Sequence, residues 1–263
     1  EAYNNLGVVL GKNEQYEEAE KVLKQVIKLQ HELIIDPKNF ISYFYLGSLY
    51  HDRNDLKNAI IHYRKSVKLN PNYFNSWFNL GISCNNFKKP NDAIYAYENA
   101  LKINPKHVET LNNLGTIYHG ILQYEKSIKY YKQAIRYNPH FNILYSNLAL
   151  TYKDSGDLSN SIKYYKLAIK KNLHDEVPLN QIGQLFRELN NFKNASIYFI
   201  KAIQLKPNSI PSNFNLACTL IDMGIYSHAK NYLYKIIKID REYVKAHLKL
   251  GEMNFYLGFY NKG

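Results

Sequence analysis

The chain is poor in cysteine, arginine and long apolar runs, and each shortage removes a class of protein. Its two cysteines, Cys84 and Cys218, form neither a disulfide framework nor a zinc-ligand spacing. No run of about 18 apolar residues is present to span a bilayer, and Glu1-Ala2-Tyr3-Asn4-Asn5 lacks the basic-then-apolar profile of a secretion signal. Cytoplasm or nucleus is therefore the expected location, with no membrane partner. Arginine supplies 5 of the 34 basic residues behind a formal net charge of +12. Phosphate-reading surfaces favour arginine for its bidentate fork, so this lysine excess weighs against a nucleic-acid partner and is better matched to AT-rich codon usage. Catalytic signatures are missing too: there is no phosphate-binding glycine loop, nucleophile elbow or HExxH helix. We expect no catalytic residue, no metal, no cofactor and no enzyme activity from these residues.

What is present is a period. An apolar residue followed by a small one returns as Leu6-Gly7, Leu46-Gly47, Leu80-Gly81, Leu114-Gly115, Leu148-Ala149, Ile182-Gly183, Leu216-Ala217 and Leu250-Gly251. From Gly47 onward every step is 34 residues, whereas the first is 40, so six residues are inserted after the first unit. Counting the small residue as position 8, position 20 is Ala or Ser (Ala19, Ala59, Ala93, Ser127, Ser161, Ala195, Ala229). Position 24 is large (Leu23, Tyr63, Tyr97, Tyr131, Tyr165, Phe199, Leu233), and prolines at position 32 (Pro71, Pro105, Pro139, Pro207) mark helix ends. Leu173 and Arg241 break the proline rule, but Asp175 and Pro178 suit the start of a helix just after the first break.

This pattern resembles the tetratricopeptide repeat (TPR) family over the whole chain. The resemblance implies an all-α fold, a right-handed solenoid of helix A–turn–helix B units whose apolar stripes are buried only by stacking. The units run 1–39 with the insertion, 40–73, 74–107, 108–141, 142–175, 176–209, 210–243 and a partial 244–263, forming one domain over 1–263. Because the chain starts and stops inside units, it is expected to be a fragment of a longer protein, with Gly263 at position 20 of the eighth unit, inside where its B helix should start. Residues 29–36 carry Leu29, Leu33 and Ile34 at helical spacing with no breaker before Pro37, which predicts a first B helix about one and a half turns longer than the others.

Placing residues in the repeat disposes of several candidates. His51 and His119 share position 12 but lie two units apart, too far to bind one metal. Asn194-Ala195-Ser196 is a formal glycosylation sequon whose alanine sits at the packed position 20. Tyr130-Tyr131, Tyr164-Tyr165 and Tyr198-Phe199 could stack bases, but the second member of each occupies the core position 24 and the first is expected to face the back of the solenoid.

On helix A, positions 4, 7, 8 and 11 make the buried stripe, so positions 2, 5, 6, 9, 12 and 13 face away. In TPR proteins that face lines the concave groove. Position 6 reads Asn5, Tyr45, Asn79, Asn113, Asn147, Gln181, Asn215 and Lys249. Carboxamides donate and accept, so such a row can grip the main chain of an extended peptide or partner protein. Position 13 adds Asp52, Asn86, Asp154, Glu188 and Asp222 beside Lys12, a mainly acidic row against basic B helices. Phe44, Phe78 and Phe214 at position 5 serve either the groove edge or packing between A helices.

Two branches of the family bear on the partner. The carboxylate clamp for acidic C-terminal tails is absent, with Asn4, Val8, Asn75 and Asn79 at its places. Asn4-Asn5-Leu6-Gly7 and Asn112-Asn113-Leu114-Gly115 resemble the superhelix of nucleocytoplasmic O-linked N-acetylglucosamine transferases and Spindly-type O-fucosyltransferases, which implies a substrate-recruiting arm. Tyr45, Gln181 and the insertion depart from that pattern. The alternatives are a TPR subunit of a multiprotein assembly, of the anaphase-promoting or ciliary-transport type, and, from another class, a basic-surface nucleic-acid binder.

Overall fold

The computed structural model describes residues 2–32 and 40–260, which form fifteen helices and no strand. The A helices are α1 (Ala2–Lys12), α3 (Phe40–Asp52), α5 (Phe74–Asn86), α7 (Val108–Gly120), α9 (Ile143–Asp154), α11 (Glu176–Glu188), α13 (Ile210–Asp222) and α15 (Val244–Tyr260). The B helices are α2 (Tyr16–Glu32), α4 (Leu56–Leu69), α6 (Pro90–Ile103), α8 (Tyr124–Tyr137), α10 (Leu158–Lys171), α12 (Phe192–Leu205) and α14 (Tyr226–Ile239). Most are three to four turns long, too short to persist alone in water, so the all-α solenoid stands on packing between them. The helices gather into two compact units, Glu1–Asn138 and Pro139–Gly263. In the first, α2, α4 and α6 each pack on their own A helix and on the next, and α3 touches both α1 and α5. In the second, α10, α12 and α14 bridge in the same way and α11 touches α13.

Positions 8, 20 and 24 meet as expected. The position-20 residues are fully buried, and the rings of Tyr63, Tyr97, Tyr131, Tyr165 and Phe199 are at most 3% exposed. A methyl added to Gly81 would lie 2.5 Å from the Tyr97 ring, and one on Gly115 2.7 Å from Tyr131. Glycine is thus needed there for close approach, despite its low helix propensity.

The turn from A to B is built identically in all seven repeats. Position 15 has a positive φ at Glu14, Asn54, Lys88, Leu122, Gly156, Asn190 and Gly224. The next amide reaches back to the carbonyl of position 11, as in Lys89 to Cys84 (2.9 Å) and Gln123 to Tyr118 (2.8 Å), closing helix A with a Schellman-type bond. The turn from B to the following A explains the two missing prolines. Asn172 accepts from the His174 amide and Asp240 from that of Glu242, as Asn70 does from Asn72, so an Asx turn at position 31 reverses the chain without proline. Asp175 then caps α11 by accepting from the Val177 amide at 2.9 Å.

The first B helix is longer than its equivalents, 17 residues against 14, and reaches Glu32. Leu33, Ile34 and Pro37, on which the rest of that expectation depends, lie outside the described residues, as does Gly263. α15 continues to Tyr260 through the positions at which the other A helices have turned.

Candidate interaction surface

The position-6 row is half-buried in place of freely exposed, Asn5 excepted. The reason is that its amides are partly used inside the fold. Asn113 donates to the Tyr97 hydroxyl at 3.2 Å, Asn79 to its own helix at the Asn75 carbonyl at 2.9 Å, and Asn215 to Asn180 of the preceding repeat at 3.1 Å. In contrast, the Gln181 Oε1 is buried with no partner, among the described residues. Tyr45 is half-buried with its ring 5.5 Å from that of Phe44, and Lys249 pairs with Glu252 at 2.8 Å. The structure therefore sets Tyr45, Asn79 and Asn113 on successive A helices of the first unit, and Asn147, Gln181, Asn215 and Lys249 on those of the second.

Position 13 is less acidic in effect than its sequence suggests. Lys153 at position 12 reaches Glu188 at position 13 of the next repeat (2.7 Å), and Arg187 likewise reaches Asp222 (2.6 Å). These pairs cross from one A helix to the next and neutralise two of the expected acids. Asp52 and Asn86, in the first unit, and Asp154 are exposed. In the first unit His51, at position 12, places its Nδ1 2.8 Å from the Ser83 hydroxyl of the next repeat.

A cavity of about 690 Å³ opens on this face of the second unit, lined by Gln184, Arg187, Glu188, Asn190, Phe192, Asn215 and Asp222. Its counterpart in the first unit, between α5, α6 and α7, is about 370 Å³ and more apolar, with Lys88 where Asn190 stands, Pro90 for Phe192, and Ile117 and Ile121 from the next helix. Phe44, Phe78 and Phe214 do not line either cavity. They pack on the ring at position 34 of their own repeat: Phe44 on Tyr73 (5.3 Å), Phe78 on His107 (5.0 Å) and Phe214 on Tyr243 (5.8 Å).

Stacked rings also join the two helices of a repeat, a relation that single positions do not display. The first members of the aromatic pairs stack on the ring at position 11 of their own A helix: Tyr130 on Tyr118, Tyr164 on Tyr152 and Tyr198 on Phe186, all at 5.5 Å. In the second repeat His62 takes this place, 5.2 Å from Tyr50, and burial holds its pKa down at about 4. A search for rings twelve residues apart would have found the ladder. Burial also pushes the Cys84 thiol up to about 11, which makes it a poor nucleophile. Among the described residues no cluster of His, Cys, Asp or Glu could hold a metal ion, and no helix is long and apolar enough to cross a membrane.

Comparison with known proteins agrees with this geometry. Tetratricopeptide repeat family models match residues 1–72, 74–107, 108–141, 144–171, 178–209 and 210–243. The chain belongs to the tetratricopeptide repeat family. As a tandem array of these repeats it is a protein-interaction scaffold. Among solved structures it is similar to a tetratricopeptide repeat protein from Parabacteroides merdae (TM-score 0.67, 15% identity, covering 96% of this chain and 97% of that one). It is also similar to Pseudomonas aeruginosa pilF (0.63, 17%, 81% and 97%) and to the Cut9–Hcn1 hetero-tetramer of APC/C (0.59, 15%, 94% and 48%). At these identities the likeness is one of fold. No curated protein matches the TPR chain in sequence.

Proposed function

We propose that this TPR chain holds an extended peptide or partner-protein segment along its A-helix face, and that it does so without catalysis. The observation that carries the reading is the state of the carboxamide row beside the second-unit cavity. Among the described residues the Gln181 carboxamide oxygen has no donor, so turning it toward a peptide amide breaks no hydrogen bond, and Asn215, whose amide is spent on Asn180, lines the cavity. The narrower reading of a glycosyltransferase's substrate-recruiting arm rests on the Asn-Asn-Leu-Gly resemblance alone, and the likeness to the APC/C subunit is one of fold.

The test replaces Asn79, Asn113 and Asn147 together by Ala and measures affinity for a partner recovered with the intact chain. Loss of several main-chain hydrogen bonds of roughly 0.5–1.5 kcal/mol each lowers affinity about tenfold to a thousandfold. Melting should fall modestly, because Asn113 also holds Tyr97. Tyr97→Phe removes that internal bond and leaves the row intact, so it should reproduce the melting change and bind normally. Unchanged affinity in the Asn variant would make the row structural.

A further inference from the structure

The three B helices of the second unit carry a charge distribution that the A-helix face does not use. α10, α12 and α14 hold nine lysines and no carboxylate. Among the described residues none of the nine enters an ion pair; the ion pairs of this unit run through Lys153, Arg187, Lys206 and Lys249. Lys163, Lys201 and Lys230 instead lie 5.7–5.8 Å from the ring centres of Tyr164, Tyr198 and Tyr234. At positions 22, 25 and 29, which share one helix face, α10 shows Lys163, Lys166 and Lys170, all exposed. The same face of α12 shows Ile197 and Ile200, 41% and 42% exposed, and that of α14 shows Tyr234 and Lys238. Unneutralised like charges on one unit repel each other and are retained at a cost to stability that an anionic partner would relieve.

We propose that this face docks an acidic polypeptide segment that carries apolar residues among its carboxylates. The lysines supply charge complementarity, and the aliphatic patch between them supplies a place for side chains. A nucleic acid fits less well. The three helices contain no arginine, and two of their rings are already stacked inside the repeats, Tyr164 against Tyr152 and Tyr198 against Phe186. A bilayer fits less well too, since Ile197, Ile200 and Tyr234 are only 41–46% exposed and offer little apolar surface to enter the interface.

The probe is a fluorescent peptide of about twenty residues built from Glu-Glu-Leu repeats, titrated with the full chain beside oligouridine of equal charge and phosphatidylserine vesicles. Lys163→Gln/Lys166→Gln/Lys170→Gln should weaken peptide binding about tenfold or more, and Ile197→Ser/Ile200→Ser severalfold, with thermal melting confirming that both variants are folded. The Asn79/Asn113/Asn147 alanine variant should bind this peptide like the parent, which separates this surface from the A-helix face. The proposal is overturned if oligouridine or vesicles bind more tightly than the peptide. It is equally overturned if the parent fails to hold the peptide, or if the folded lysine variant holds it as well as the parent.

Discussion

Repeats four and five, the last of the first compact unit and the first of the second, fill position 24 with the same tyrosine but admit it differently. In repeat four Gly115 has no room for a methyl, and the Ser127 hydroxyl donates to the Gly115 carbonyl at 2.7 Å. In repeat five Ala149 carries that methyl, Tyr165 is still only 1% exposed, and the Ser161 hydroxyl is buried without a partner among the described residues. A repeat can therefore accept alanine at position 8, but the space taken by the methyl comes with the loss of the serine's bond between the helices. The small–small–aromatic pattern fixes which side chains meet, while the choice of glycine or alanine decides how closely the two backbones approach.

The sharpest way to break that comparison is to put a methyl where the ring leaves none. Gly81→Ala brings a carbon to 2.5 Å from Tyr97, and overpacking of this kind costs about 1–3 kcal/mol, offset by roughly 1 kcal/mol of better helix propensity. Its melting temperature should fall. Ala149→Gly should lose about 1 kcal/mol, from helix propensity alone. If Gly81→Ala melts at or above the parent, the ring can move as it has in repeat five and the close approach is not required.

A second contrast concerns position 23, tyrosine in repeats four and five but His62 in repeat two. Burial, then the positive charges of Lys65 and Lys24 against the opposing Glu20, holds His62 at about 4, below its ordinary value of 6.5. The unfolded chain takes up this proton near 6.5 and the folded chain only near 4, so stability drops as pH falls through that window. His62→Tyr, which installs the ring found in the other repeats, should flatten the decline in melting temperature between pH 6.5 and 4. A decline as steep as the parent's would place the sensitivity in other groups.

The serines give a smaller effect of opposite sign. Ser127→Ala should cost about 0.5–1.5 kcal/mol for its lost bond to Gly115, whereas Ser161→Ala removes an unpartnered buried hydroxyl and should be neutral or stabilising by up to about 1 kcal/mol. Equal losses in chemical denaturation would mean that Ser161 has an acceptor after all.

Features that packing imposes on residue type were legible in the sequence. Gly47, Ala59 and Tyr63 show this, because only small residues let the helices approach and only a large one fills the space beside them. Features imposed by backbone geometry or by relations between repeats were not. Asn172 and Asp240 turn the chain where proline is missing, through a side-chain oxygen that any Asn-rich sequence contains many times over. The Lys153–Glu188 and Arg187–Asp222 pairs join residues 35 apart, one more than the period, so aligning repeats column by column separates the partners. For the candidate groove, the row of carboxamides was legible, but its internal hydrogen bonds, such as Asn113 to Tyr97, depend on which rotamers the packed helices leave open.

The left-handed residue of the A–B turn is the feature most hidden from the sequence, since only Gly156 and Gly224 of the seven are glycine. Leu122 adopts φ 62° with its side chain 70% exposed, so it bears the strain of a left-handed backbone with little packing in return. At the same place in the next repeat, a Cβ on Gly156 would meet nothing within 4 Å, so that site differs from Leu122 mainly in backbone freedom. Leu122→Gly relieves roughly 1–2 kcal/mol of local strain but gives the unfolded chain more freedom, worth about 0.4–1 kcal/mol. The net expectation is stabilisation of about 0.5–1 kcal/mol. Gly156→Leu should lose a similar amount, with neither change altering the denaturant m-value. The reciprocal swap tests the backbone itself. Should Leu122→Gly instead lower the denaturation midpoint while Gly156→Leu leaves it unchanged, the leucine side chain would be contributing a contact that outweighs its strain, and the common φ would not control the stability of this turn.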